Sequence, residues 1–173
     1  LNGAEVRDHV GNLIAATYLL SEDIDKIITI LEAYHIDHQL FIDKTIYTKA
    51  IQDQIDTFVQ LAEAAGQTPD VDEIRKEIEN RVASGVIQIV DSFDALLKDN
   101  QHTLYKIFGT SYNRENLDLA RAALENIPSL AVTSSGAGNL EITNINAQKG
   151  LALTAFAKAK NIPMEQVMAI GDN

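Results

Sequence analysis

The chain has no cysteine, 14 basic residues against 25 acidic ones, and no long hydrophobic run. Without cysteine, disulfides and thiolate metal sites are excluded. The shortage of lysine and arginine leaves a net charge of −11, which argues against nucleic acid or an anionic membrane as a bulk partner. Any anionic ligand would need local help from a few basic groups or a metal. No apolar stretch approaches the roughly 20 residues of a membrane span and no signal peptide is visible, so a cytoplasmic location is expected. Internal repeats and low-complexity tracts are missing as well. What is present is an ordinary hydrophobic share, 46% of 173 residues, enough for a real core in one large domain or two small ones. The first residue is leucine and the last three are Gly171-Asp172-Asn173. A piece of a longer protein is the expectation.

The pattern of apolar residues divides the chain into short strands and amphipathic helices. Ala4 to Asp8 and Leu13 to Leu19 read as strands around a turn at His9-Val10-Gly11-Asn12. Ser21 reads as an N-cap, with Glu22 and Asp23 in the first turn and Ile24, Ile27, Ile28 and Leu31 as the apolar stripe. Two strands follow, near His38 to Ile42 and Thr45 to Lys49. A second helix carries Ile51, Ile55, Phe58, Val59 and Ala62 and stops at Gly66. Thr68 as cap and Pro69 at the first helical position start a third, with Val71, Ile74, Ile78 and Val82. Val86 to Val90 and Leu104 to Phe108 read as strands, with a short helix at Phe93 to Leu97 between them. A helix from Asn113 to about Asn126 buries Leu117, Ala120, Leu124 and Ile127. Ala131 to Ser134 and Leu140 to Thr143 are strands joined by a small-residue loop, and Asn146 to Lys160 is a helix.

The chain closes on the apolar run Val167-Met168-Ala169-Ile170 and then Gly171-Asp172-Asn173. Such a run reads as a buried parallel strand. An acid just past it sits where open α/β sheets hold their ligands, and a carboxylate there needs a cation or donors. The middle of the chain is therefore α+β in character, and its two ends look like parts of a doubly wound α/β layer.

Three segments in this order resemble the haloacid-dehalogenase-like hydrolases, in particular the Cof-type phosphatases with a large α/β cap. They are Asn2-Gly3-Ala4 before a hairpin, the run Ser134 to Ile142 followed by Gln148-Lys149-Gly150, and Ala169 to Asn173. The spacing of 23 residues from Lys149 to Asp172, across one helix and one strand, adds specificity. The resemblance implies a phosphomonoesterase in which an aspartate of a DxDxT motif attacks phosphorus, a second aspartate is general acid–base, and Mg²⁺ bridges nucleophile and phosphate. It implies that Lys149 is the basic residue steadying the nucleophile and the transferring phosphoryl group. It also makes Asp172 the first acid of a GDxxND motif, a metal ligand. Phosphoryl transfer is mostly positioning and neutralisation of negative charge, for which an ammonium and a hard divalent cation are suited. The DxDxT strand and the later Asn and Asp of GDxxND are not in the sequence. The two look-alikes, Asp23-Ile24-Asp25 and Asp70-Val71-Asp72, lack a preceding apolar strand and a following threonine, and read as helix-start acids.

The expected organisation is a core hairpin over residues 1–20, an α/β cap over 21–143 and a core helix and strand over 144–173. Hinges are expected near Leu20-Ser21 and Thr143-Asn144. A small phosphorylated metabolite, a sugar phosphate or similar, is the expected ligand, and the chain alone, lacking the nucleophile, is expected to be inactive. Lys149 has an alternative as a solvated lysine, although a cation in a first turn is mildly unfavourable. Asn2 and Gly3 read equally as turn formers or as active-site neighbours. Ser134 and Ser135 lie in a loop that is a tight hairpin or the lining of a phosphate or sugar pocket. Tyr47, projecting from a cap strand, is a candidate substrate contact. His35 and His38 straddle a helix end and a strand start, which favours surface and packing roles over metal binding. A non-catalytic binding or interaction module is the competing reading of the whole chain.

Overall fold

A computed structural model describes residues 1–64, 66–98 and 103–170. The first two strands, β1 (Glu5–Arg7) and β2 (Leu13–Ala16), form the hairpin expected from the turn composition. Asp8 organises the turn by accepting the backbone N–H groups of Val10 and Asn12 at 3.0 and 2.8 Å, the local bonding that makes aspartate a turn residue. The first helix, α1, runs Ser21–Ala33. Ser21 is its first residue and not its cap: Leu20 holds the cap position and no side chain caps it. The nearby carboxylate of Asp23 is instead committed to the Ser129 hydroxyl and to Lys26 at 2.9 Å. These bonds hold Asp23 below the usual carboxylate range.

The chain then alternates strands β3 (Asp37–Ile42) and β4 (Thr45–Thr48), helices α2 (Ile51–Ala64) and α3 (Val71–Ala83), and strand β5 (Ile87–Ile89). A single-turn helix, α4 (Phe93–Leu97), leads to strand β6 (Leu104–Thr110) and helix α5 (Arg114–Leu124). Strands β7 (Leu130–Thr133) and β8 (Asn139–Asn144) follow, and helix α6 (Lys149–Ala159) comes last before a 3₁₀ turn at Met164–Gln166. The cap of α3 is Asp70 and not Thr68: its carboxylate accepts from the N–H of Asp72 and Glu73 at 3.1 and 3.0 Å. An aspartate acceptor satisfies two orphan donors at once, which moves the start past Pro69.

Six strands make one mixed sheet in the order β5-β4-β3-β6-β8-β7, antiparallel except for β4 with β5. The α2–α3 pair forms the crossover that lets those two run parallel. Alternation along the strands gives the sheet two different faces. One carries Leu40, Ile107, Leu140 and Ile142, which join Ile27 and Leu31 of α1 and Leu117, Ala120 and Leu124 of α5 in the main core. Over the β4–β5 end, the other face packs Ile46 and Ile87 on Ile55 and Ile78 of α2 and α3. Toward β6, β8 and β7 that same face turns polar: Lys106 pairs with Thr143, Phe108 with Glu141, and Thr110 with Asn139.

The hairpin and α6 pack on each other, and a small cluster of Ala4, Tyr105 and Ala147 joins them to the sheet. Helix α6 starts three residues later than its apolar pattern suggests. Asn144 makes a turn first, accepting from the N–H of Asn146 on its side chain at 2.9 Å and from Ala147 on its carbonyl at 2.8 Å. Residues 167–170 form no strand, and Met168 and Ile170 are 84% and 89% exposed. A parallel strand exists only beside a partner strand, and no described strand pairs with this run. Gly171, Asp172 and Asn173 lie outside the described residues. No helix among the described residues is long and apolar enough to cross a membrane.

Candidate functional site

Residues from three distant stretches of sequence meet at one cavity of about 830 Å³. Asn2 comes from the segment before β1, Ser134 and Ser135 from the β7–β8 loop, and Lys149 and Gly150 from the first turn of α6; Glu141 and Thr143 of β8 line the sheet side. Four of the six residues singled out in the sequence thus share one space. Tyr47 does not. It pairs with Leu40 across β3 and β4 and packs toward the main core, on the opposite side of the sheet from Glu141. Strand alternation sends its neighbours Ile46 and Thr48, not Tyr47, to the polar side. Asp172 lies outside the described residues.

Lys149 is the first residue of α6, and its side chain is exposed at the cavity. Gln148 holds the cap position without a side-chain bond to the helix, and no acid stands in the first turn. The N-terminus therefore keeps its partial positive charge, to which the Lys149 ammonium adds. That combination attracts an anion.

Asn2 and Gly3 fit this helix start closely. Both have left-handed backbones, with φ of 54° and 99°. A Cβ on Gly3 would lie 2.5 Å from the carbonyl carbon of Gln148 and 2.8 Å from the nitrogen of Lys149. The glycine is there because its backbone touches the first peptide of α6. Gly3→Ala is expected to push the segment off α6 and to lower the melting temperature by several degrees, since a clash with backbone cannot relax by a rotamer change. A thermal melt beside Gly11→Ala, whose Cβ meets nothing within 4 Å, separates clash from left-handed strain. Equal losses in the two variants would refute the close-packing account.

The side chain of Asn2 reaches across the cavity to the sheet. Its amide donates to the Glu141 carboxylate at 2.7 Å and to the Thr133 hydroxyl at 3.3 Å. Glu141 also receives the Lys106 ammonium at 3.3 Å, and both residues are 8% exposed. Lys106 lies over the rings of Phe41 and Phe108, 4.6 and 5.3 Å from their centroids, a stacking that suits a partly desolvated ammonium. Burial pushes Glu141 up, but hydrogen bonds from Ser135 and Asn2 and the charge of Lys106 outweigh it and hold the carboxyl below its usual range. Glu141 and Lys106 were not singled out from the sequence. Their signal was a polar residue at every second position of one strand, Asn139, Glu141 and Thr143, and a lone lysine in the apolar run Leu104 to Phe108.

The β7–β8 loop is a hairpin loop that also borders the cavity. It closes a hairpin, with Asn139 accepting from the Ser135 N–H at 3.0 Å, and its two serines face the cavity. His38 has the packing role expected of it: it is buried, its Nδ1 donates to the Ile36 carbonyl at 3.1 Å, and its ring lies against Phe93. His35 is exposed. Among the described residues no three His, Asp or Glu side chains come together to hold a metal. The carboxylate at the cavity is already matched to Lys106, so the described residues do not by themselves form a Mg²⁺ site.

The whole chain, residues 1–173, matches the family described as haloacid dehalogenase-like hydrolase. The chain belongs to that family. It is 27% identical to phosphatase YwpJ of Bacillus subtilis (strain 168), over 99% of this chain and 61% of that protein. It is 35% identical over 75 residues, 43% of this chain and 26% of the relative, to the 5-amino-6-(5-phospho-D-ribitylamino)uracil phosphatase YwtE of the same organism. Among solved structures, a haloacid dehalogenase-like hydrolase from B. subtilis superposes with a TM-score of 0.84 at 27% identity, over 99% of this chain and 61% of that one. One from Bacteroides thetaiotaomicron gives 0.69 at 18% identity, over 99% and 56%, a likeness of fold alone. The chain thus spans 61% or less of the curated relatives it matches.

Proposed function

We propose that the intact protein is a Mg²⁺-dependent phosphatase of small phosphate esters, a sugar phosphate or similar metabolite, working through an aspartyl-phosphate. In this reading the present chain supplies the cap and one side of the reaction site. The observation that carries the proposal is the convergence of Asn2, Ser134, Ser135 and Lys149 on one cavity. Lys149 and the uncapped start of α6 supply positive charge for a phosphoryl group. Ser134 and Ser135 line the cavity beside that charge, and the Asn2 amide, committed to Glu141 and Thr133, ties the cavity to the sheet. The nucleophile is assigned to sequence outside this chain, because no DxDxT occurs in it, and Asp172 is assigned to the metal. Bound Mg²⁺ would neutralise phosphate charge.

The cap is residues 21–143, which contain all of the six-stranded sheet apart from the last residue of β8. Its two crossings to the core lie side by side: the Asn144 amide donates to the Tyr18 carbonyl at 2.9 Å. Closure about that pair would exclude water from the cavity.

The test is hydrolysis of p-nitrophenyl phosphate and a panel of sugar phosphates by this chain and by a version extended on both sides to the length of its relatives, with Mg²⁺ and with EDTA. Turnover is expected only from the extended protein with Mg²⁺. Turnover by the short chain would overturn the placement of the nucleophile, and silence of the extended protein would favour a non-catalytic binding module.

A further inference from the structure

We propose that Glu141 is a positioning residue for Lys149, acting through Asn2 and Gly3; the functional part of this rests on Lys149 being the cation of the phosphoryl site. Four contacts lead from the sheet to that lysine. The first fixes the carboxylate. Glu141 lies on an inner strand, paired with Phe108 on one side and Thr133 on the other, and its ion-pair partner Lys106 is held over two aromatic rings. A carboxylate so placed has little freedom to turn away.

The second contact is the 2.7 Å bond from the Asn2 amide. Asn2 has a left-handed backbone, as asparagine readily does, in a turn closed by the Ala4 N–H on the Leu1 carbonyl at 2.8 Å, and the charge-assisted bond to a buried carboxylate fixes where that turn sits against the sheet. The third is covalent, from Asn2 to Gly3. The fourth is the close approach of Gly3 to the peptide between Gln148 and Lys149, where no Cβ fits. Helix α6 has no side-chain cap to set its own start. The Asn144 turn and the packing of α6 on the hairpin set the approach of this helix; the Asn2-Gly3 segment is the part that touches the Lys149 peptide itself, and the Glu141 carboxylate ties that segment to the sheet. A purely structural Glu141–Lys106 pair would need none of this, and the two accounts differ in what Asn2 does.

The two arms of the test fail independently. In the first, ¹H–¹⁵N spectra of this chain are compared for Glu141→Gln, Glu141→Ala and Asn2→Ala. Glu141→Ala and Asn2→Ala are expected to move the amide resonances of Gly3, Lys149 and Gly150 while those of Ile27 and Leu31 on α1 stay in place. Gln, whose carbonyl still accepts from Asn2, is expected to move them far less. Asn2→Ala leaves the Lys106–Glu141 pair intact, so it decides the matter even if Glu141→Ala fails to fold. Unmoved Lys149 and Gly150 resonances in Asn2→Ala would overturn the proposal whatever the enzyme does.

In the second arm, the extended protein is assayed with p-nitrophenyl phosphate. A misplaced charge at the reaction centre costs about 10- to 100-fold in kcat, so that loss is expected for Glu141→Ala and Asn2→Ala with little change in KM. Gln should rescue most of it, and the double variant should be no worse than either single one. A change confined to KM, or additive losses, would overturn the positioning role. An unaltered extended protein that does not hydrolyse the ester would sink the phosphatase reading, while the spectra still judge the contact chain.

Discussion

Lys106→Met is expected to destabilise the chain by about 3–5 kcal/mol at neutral pH, because it leaves the Glu141 carboxylate buried without its counter-ion. Methionine keeps the apolar stem that lies over Phe41 and Phe108, so the loss reports the charge more than the packing. For a chain of this size each kcal/mol moves the melting temperature by about 2–4 °C, so a fall of about 6–20 °C follows. The pH dependence has a definite sign. Glu141 titrates below its usual range in the folded protein, so its stabilising contribution is full above the unfolded value of about 4.3. It is lost as pH falls through the lower folded value. Without Lys106 that pKa rises, the carboxyl takes up a proton on acidification, and the deficit of the variant should shrink between about pH 6 and pH 4. Adding Glu141→Gln should recover much of the loss, since a neutral amide needs no counter-ion. Urea or thermal unfolding across that range measures both effects. A deficit below about 1 kcal/mol, or one that does not shrink in acid, would mean that Lys106 contributes as a surface charge does.

The secondary elements were legible because most are decided locally. Ile24 to Leu31, Ile51 to Ala62 and Leu117 to Leu124 carry helical stripes, and each lies on a helix. Strand positions followed from alternation between turn residues. What local pattern could not decide was competition for a side chain: Asp23 was taken by Ser129 and Lys26, Asp70 displaced Thr68 as a cap, and Asn144 built a turn where the helix was expected to begin. The closing run 167–170 shows the limit of reading strands from hydrophobicity, since a strand needs a neighbour that sequence periodicity does not contain. At the site, residues carrying a motif were found: Asn2, Ser134, Ser135 and Lys149. Lys106 carries none, and Glu141, although inside the run Ser134 to Ile142, had no role attached to it. They matter because β6 and β8 are adjacent and in one register, a non-local fact. Tyr47 failed for the opposite reason. Being on a strand fixes only that a side chain faces one side or the other, and Tyr47 faces the core.

Lys149→Gln in the extended protein is expected to lower kcat about 100- to 1,000-fold, the usual cost of removing one charged or hydrogen-bonding group aimed at developing charge in a transition state. Stability should move by no more than about 0.5 kcal/mol. Lys149 is exposed and makes no ion pair among the described residues, so nothing buried is stranded when its charge goes. Lys149→Arg should recover only part of the rate. A guanidinium is a broad planar fork that spreads its charge, whereas an ammonium is a compact point charge on a flexible stem. The two lysines near the cavity thus make opposite predictions. Lys106, buried against Glu141 and two rings, should act on the unfolding free energy, and Lys149, free at the helix start, on turnover. Steady-state kinetics and a thermal melt on the same two variants test the division. Should Lys149→Gln retain its rate, the positive charge serving the phosphoryl group lies elsewhere. Lys106 would then be the next cation to examine, because Asn2 and Glu141 already connect it to the same cavity.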